Sequence, residues 1–80
     1  MKILSQDKTK LIQALLLKVN KDSIGKNTKG IISAVYRSGS FFTTSDIITA
    51  TFDTYDVAIQ EFEKITDFFE QNPNSIYKFK

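Results

Sequence analysis

The sequence predicts an α+β fold in which an antiparallel β-sheet of four to six strands carries one long C-terminal helix on one face. Two observations predict it. Segments in the middle of the chain alternate β-branched or aromatic residues with polar ones, and a period of 3.6 residues replaces this alternation after Thr54. The chain has 80 residues, of which 41% are hydrophobic and 25% charged. These values are typical of a globular protein, and we expect residues 1–80 to form a single domain.

The helix is predicted over about residues 54–71. Asp53 and Thr54 offer side-chain oxygens for its N-cap, and Asp56 places a negative charge in its first turn, where the helix dipole favours it. Residues 72–74, Asn-Pro-Asn, end the helix because proline cannot donate a backbone hydrogen bond. Its predicted apolar stripe, flanked by Ile59 and Phe68, consists of Tyr55, Ala58, Phe62, Ile65 and Phe69.

One strand is predicted before this helix in the chain and one after it. Residues 47–52 alternate, so that Ile48, Ala50 and Phe52 are expected to face the core and the residues between them the other side. Residues 75–80 can return as a short last strand with Tyr77 and Phe79 on one face.

The middle of the chain predicts a hairpin over residues 31–44. Residues 31–37 are typical of a strand, 38–40 (Ser-Gly-Ser) of a turn, and 41–44 of a resumed strand. Residues 21–30 before them are polar and contain two glycines, which predicts a loop and the most mobile part of the chain.

The first twenty residues leave two interpretations open. The apolar residues fit a helical stripe, and they equally fit one face of an alternating strand. The helical stripe would consist of Leu11, Ile12, Leu15, Leu16 and Val19. The strand face would consist of Leu15, Leu17 and Val19.

One helix can cover only one face of the predicted sheet. The helix stripe is expected to meet Ile32, Ala34, Tyr36, Ile48, Ala50 and Phe52. The other face would carry Leu16, Ile31, Val35, Ile47 and one of Phe41 and Phe42. This second face is too apolar to stay in contact with water, so the sheet either curls into a partial barrel or is buried in a dimer.

The chain also resembles a group of small, mostly uncharacterised proteins of low-GC Gram-positive bacteria and their phages. The resemblance rests on residues 1–8, Met-Lys-Ile-Leu-Ser-Gln-Asp-Lys, and on Phe52-Asp53-Thr54 followed by Ala58. It implies an initial strand, an apolar strand over residues 11–19, a two-strand meander, one helix and a closing strand. It implies no activity.

Composition excludes several kinds of chemistry. The chain contains no cysteine, histidine or tryptophan, which excludes disulfides, thiolate zinc sites, thiol nucleophiles and acid–base catalysis by histidine. Gly25 and Gly30 have the spacing of a phosphate loop, but Ile31 and Ile32 follow where that motif requires lysine and a hydroxyl. The sequence therefore predicts neither an enzyme nor a cofactor or metal site, and Asp46, Asp53 and Asp56 are interpreted as capping and surface carboxylates.

Charge is divided unevenly along the chain. Residues 1–40 hold eight basic and two acidic residues, a net charge of +6, and residues 41–80 hold three basic and seven acidic residues, a net charge of −4. In the basic half, the candidate phosphate contacts are Lys21, Lys26 and Lys29. In the acidic half, the candidate contacts for a protein partner are Phe41, Phe42, Glu63, Asp67 and Glu70.

These features favour a non-enzymatic protein-interaction module that forms a homodimer. One alternative is an accessory protein that binds nucleic acid weakly through the basic half. Another is an adaptor or inhibitor whose acidic helix occupies a basic groove of a partner protein. No apolar run is long enough for a signal peptide or a membrane span, which predicts a cytoplasmic protein.

Overall fold

The computed structural model describes residues 1–24, 27–39 and 43–79. Its elements, in chain order, are β1 (Lys2–Leu4), β2 (Leu11–Gln13), β3 (Leu16–Ile24), β4 (Asn27–Arg37), β5 (Thr44–Phe52), α1 (Tyr55–Gln71) and β6 (Ile76–Lys78). The predicted α+β class is confirmed. The strands form two three-stranded sheets, sheet A in the order β2-β1-β6 and sheet B in the order β3-β4-β5, and neither closes into a barrel. The expectation of a single sheet is therefore wrong, and so is the alternative in which that sheet curls into a partial barrel.

Sheet A is built from the two ends of the chain. β1 pairs with β2 in antiparallel and with β6 in parallel orientation, so the prediction of an entirely antiparallel sheet is corrected here. Ile3 lies opposite both Ile12 and Tyr77, and Ile3 and Ile12 are buried. This sheet therefore presents one apolar face to the core, and Phe79 is buried beside it.

The first twenty residues form strands rather than a helix. Residues 5–10 make a tight turn in which the Ser5 N–H donates to the Lys10 carbonyl at 2.8 Å. Lys8 in this turn has a φ of 64°, in the left-handed region that non-glycine residues adopt infrequently. Leu17 and Val19 pack against the core, as the alternating interpretation required, whereas Leu15 is half exposed.

β3 and β4 form a long hairpin that contains most of the predicted loop. Lys21 lies opposite Gly30 and Asp22 opposite Lys29, so residues 21–24 and 27–30 belong to strands, and the prediction of a loop over 21–30 is wrong. Lys21 and Thr28 are exposed on one face and Lys29 on the other, so polar residues are tolerated on both faces at this end of the hairpin. Gly25 and Lys26 lie outside the described residues.

A β-bulge in β5 reverses the predicted orientation of its first half. Ile32 pairs with Ala50 but Ser33 pairs with Ile48, so Thr49 is the extra residue. Side chains before the bulge therefore face the opposite way from the predicted alternation. Ile47 packs against the core and Ile48 is 56% exposed, the reverse of what was expected.

The helix packs across the inner face of sheet B, mainly against β4. Thr54 is its N-cap and accepts a hydrogen bond from the Val57 N–H at 3.2 Å, and Asn72 is its C-cap. Its start lies directly on Gly30, where a Cβ atom would be 2.7 Å from the Thr54 carbonyl oxygen. The predicted stripe is confirmed: Ala58, Ile65 and Phe69 are buried, and Tyr55, Ile59, Phe62 and Phe68 are partly buried.

β4 and β5 form a hairpin, but its second strand is the one predicted separately over residues 47–52. Of the second strand predicted over 41–44, it contains only Thr44 among the described residues. Its second strand begins at Thr44, and the Ser38 N–H donates to the Thr43 carbonyl at 3.0 Å across the connection. Phe41 and Phe42 lie outside the described residues.

Candidate interaction surfaces

The face of sheet B that points away from the helix carries exposed apolar side chains. Residues that lie opposite each other on neighbouring strands share a face of the sheet. Three such rows, each with one residue from β3, β4 and β5, make up this outer face. The rows are Leu16, Val35 and Asp46; Lys18, Ser33 and Ile48; and Asn20, Ile31 and Thr51. Leu16 is 46% and Ile48 56% exposed, while Ile31 and Val35 are partly buried. Neither the helix nor sheet A covers this face.

Charged groups cross the outer face without making it strongly charged. Lys18 forms an ion pair with Asp46, and Asp22 lies opposite Lys29 at the far end of the hairpin. Arg37 lies on the same face beyond Val35, so the face carries both cations and anions around its apolar centre. Leu16, Ile31 and Val35 lie where the sequence placed them, and Ile48 replaces Ile47 because of the bulge.

The two candidate phosphate contacts that the structure describes, Lys21 and Lys29, do not form one surface. Lys21 lies on the inner face, where its ammonium group is 4.8 Å from the centre of the Tyr55 ring, a cation–π contact. Lys29 is exposed on the outer face, opposite Asp22. Because these two lysines point to opposite sides of the sheet, the structure does not bring them together, and Lys26 lies outside the described residues.

The candidate acidic contacts do share one side of the helix. Glu63, Asp67 and Glu70 are exposed at spacings of four and three residues, which places them in one row, here called the acidic flank. None of the three forms an ion pair with a described residue. The last helical turn contains no basic side chain, so the negative end of the helix dipole adds to their charge.

Two apolar grooves contain residues that sequence reasoning did not select. The first groove, of about 460 Å³, is lined by Leu11, Ile12, Gln13, Leu15, Tyr36, Arg37 and Ile47. The second groove, of about 330 Å³, is lined by Met1, Leu16, Leu17, Phe62, Ile65, Thr66, Phe69 and Glu70. The run of three leucines at 15–17 was the available signal, since a strand that buries one face cannot bury all three.

A hydrogen bond between Tyr77 and Glu61 attaches the last strand to the helix. The Tyr77 hydroxyl donates to a Glu61 carboxylate oxygen. Burial of the phenol, together with this hydrogen bond and the carboxylate charge, raises the pKa of Tyr77 well above its usual value. Glu61 therefore has a structural partner and does not belong to the acidic flank.

Asp7 organises the turn that joins β1 to β2. Its carboxylate accepts hydrogen bonds from the Ser5 hydroxyl at 2.6 Å and from the Thr9 hydroxyl and N–H at 2.7 and 3.0 Å. These bonds, that of Ser5 first, lower the pKa of Asp7 to about 2. The turn is also tied to the bulge of β5, because the Gln6 N–H donates to the Thr49 carbonyl at 2.7 Å.

The described residues contain no group of three or more acidic side chains arranged to hold a metal ion. In the same part of the chain, no helix is long and apolar enough to cross a membrane. No protein-family model, curated protein or solved structure matches the chain.

Proposed function

We propose that this protein is a non-enzymatic protein-interaction module and that a second copy of the chain covers the outer face of sheet B. The exposure of Leu16 and Ile48 on a face that no other element covers is the observation that carries the proposal. Apolar side chains grouped in this way favour removal from water by a partner.

A second copy suits this face because the face is self-complementary. It carries Lys18 and Asp46 side by side, so a two-fold axis between two copies can place the cation of one beside the anion of the other. A partner surface that carries one strong charge is poorly matched to a face that carries charges of both signs.

The area of the face predicts a weak dimer. Three strands about 4.8 Å apart, with nine residues rising about 3.3 Å each, give about 400 Å² per copy and about 800 Å² in total. Stable interfaces bury about 1,200–2,000 Å². The dimer is therefore expected to dissociate as the protein is diluted.

Sedimentation velocity over a wide range of concentrations tests the proposal. The mass should rise from 9.1 kDa towards twice that value. Ile48→Thr removes about 1 kcal/mol of apolar burial per copy, so we expect dimer affinity to fall about thirtyfold. Val57→Thr is the matched control, because Val57 is 44% exposed on the helix and lies outside the face. A constant 9.1 kDa mass, or an equal effect of both substitutions, would reject the dimer.

Weak binding of nucleic acid stays the alternative proposal. It rests on the net charge of +6 of residues 1–40, although the described lysines lie on opposite faces. Fluorescence anisotropy with duplex and single-stranded DNA at low salt tests it. Binding that is lost on changing Lys21, Lys26 and Lys29 to glutamine would support it, and absence of binding would reject it. The phage-related origin and cytoplasmic location also stay predictions.

A further inference from the structure

Residues 11–24 form one bent strand segment whose two neighbours lie on opposite sides. The Ala14 N–H donates to the Met1 carbonyl at 2.6 Å, and the N–H of the next residue, Leu15, donates to the Val35 carbonyl at 2.7 Å. Successive N–H groups of an extended chain point to opposite sides. β1 therefore lies on one side of this segment and β4 on the other.

On the side of the segment where β1 pairs with β2, no described strand pairs with β3; this open side is here called the empty row. β1 begins beside Ala14, and β3 continues for nine residues with β4 as its only partner among the strands described. A strand with one side unpaired presents N–H and C=O groups that can bond to a further strand.

The second groove, of about 330 Å³, opens where this empty row starts. Met1, Leu16 and Leu17 line it from the sheets, and Phe62 and Phe69 line it from the helix. A segment paired with β3 would lie about 4.8 Å from it, which places alternate side chains of that segment over the groove.

The acidic flank borders the same groove. Glu70 is one of the lining residues, and Glu63 and Asp67 lie on the same side of the helix, exposed and without an ion pair to any described residue. The charge at this edge is thus complementary to lysine and arginine.

We propose that the edge of β3 and the second groove bind an extended basic segment of another protein, which adds to sheet B as a fourth strand. Backbone groups of the segment pair with β3. Of the side chains on its groove side, apolar ones enter the groove, and lysine or arginine ones face the acidic flank. This contact uses the edge of the sheet and goes beyond the dimer proposed for the outer face.

Fluorescence anisotropy with the full chain and a labelled peptide of two Val-Thr-Lys-Thr repeats, which places its valines and lysines on one face of a strand, tests this proposal. We expect saturable binding that weakens about tenfold in the double variant Glu63→Gln/Glu70→Gln, because two charge-assisted contacts are lost. The double variant Asp53→Asn/Asp56→Asn is the matched control, since it makes the same change in net charge at the other end of the helix. A peptide of two Val-Thr-Glu-Thr repeats should not bind. Equal effects of the two double variants, or equal binding of the two peptides, would overturn the proposal.

Backbone pairing is tested separately with two peptides that are N-methylated at alternate residues, one in each phase. Only one phase should abolish binding, because only every second N–H faces β3. Equal affinity of both methylated peptides would show electrostatic attraction without strand addition and overturn the proposal.

Binding of the peptide should add only the mass of the peptide to the sedimenting species and should leave the monomer–dimer equilibrium unchanged. If it instead dissociates a dimer that Ile48→Thr does not weaken, the edge of β3 is the contact between copies, and both proposals fail. If the peptide binds a chain that stays monomeric, only the dimer fails.

Discussion

The hydroxyl of Thr49 donates a hydrogen bond of 2.8 Å to the carbonyl of Ile32, at the position where β4 and β5 lose their regular register. Thr49 is the extra residue of the bulge, and its side chain is buried. This bond gives the Ile32 carbonyl a partner inside the sheet. It therefore stabilises the bulge that turns Ile47 inward and Ile48 outward.

Replacing Thr49 with valine should destabilise the fold. The substitution keeps the size and β-branching of the side chain but leaves a buried carbonyl without this hydrogen bond, at a cost of about 1–3 kcal/mol. Urea unfolding followed by circular dichroism measures it. Thr51→Val is the control, because Thr51 is exposed on the same strand. Equal stability of the two variants would show that the Thr49 bond contributes nothing.

Gly30→Ala should destabilise the protein through a clash rather than through backbone conformation. The new Cβ would be 2.7 Å from the Thr54 carbonyl oxygen and in contact with Ala58, so the start of the helix must move away from β4. We expect a loss of about 1–3 kcal/mol in thermal or urea unfolding. Lys29→Ala, on the exposed side of the same strand, should change stability much less.

Stability should fall in acid between about pH 4 and pH 2 because of Asp7. Its pKa is about 2 in the folded chain and near 3.8 when unperturbed, so the unfolded chain takes up a proton first as the pH falls. The contribution is thus fully present above pH 4 and is lost as the pH approaches 2. Unfolding of Asp7→Asn should show a shallower dependence on pH over this interval, with Asp67→Asn as the exposed control. An unchanged slope in Asp7→Asn would contradict the assignment.

Tyr77 should be the tyrosine that resists ionisation in the folded protein. Its pKa is raised by burial and by Glu61, so the unfolded chain loses the phenol proton first, and stability decreases as the pH rises above about 10. Absorbance near 295 nm should reveal a late tyrosinate step that coincides with unfolding. That step should be absent from Tyr77→Phe, and its persistence there would assign it to another tyrosine.

Local signals predicted the helix well but the strands only in part, because residues 21–24 and 27–30 were predicted as a loop and the first twenty residues left helix and strand open. Thr54 caps the helix, the Asn-Pro-Asn sequence follows its end, and the stripe through Ala58, Ile65 and Phe69 is buried as its period required. These features depend on residues close together in the chain, where capping and side-chain periodicity act. The candidate surfaces were predicted less completely, since Glu63, Asp67 and Glu70 do form one row but the lysines do not form one site.

The sequence by itself determined the α+β class, the position of the helix and the absence of cysteine and histidine chemistry. Only the tertiary structure decided that the strands separate into two sheets, that β6 runs parallel to β1, and that Ile48 rather than Ile47 faces outward. The physical reason is the range of the interactions involved. A bulge, a register or a strand order is set by pairs such as Ile32 and Thr49, far apart in the chain, whose hydrogen bonds and packing are absent from any local pattern.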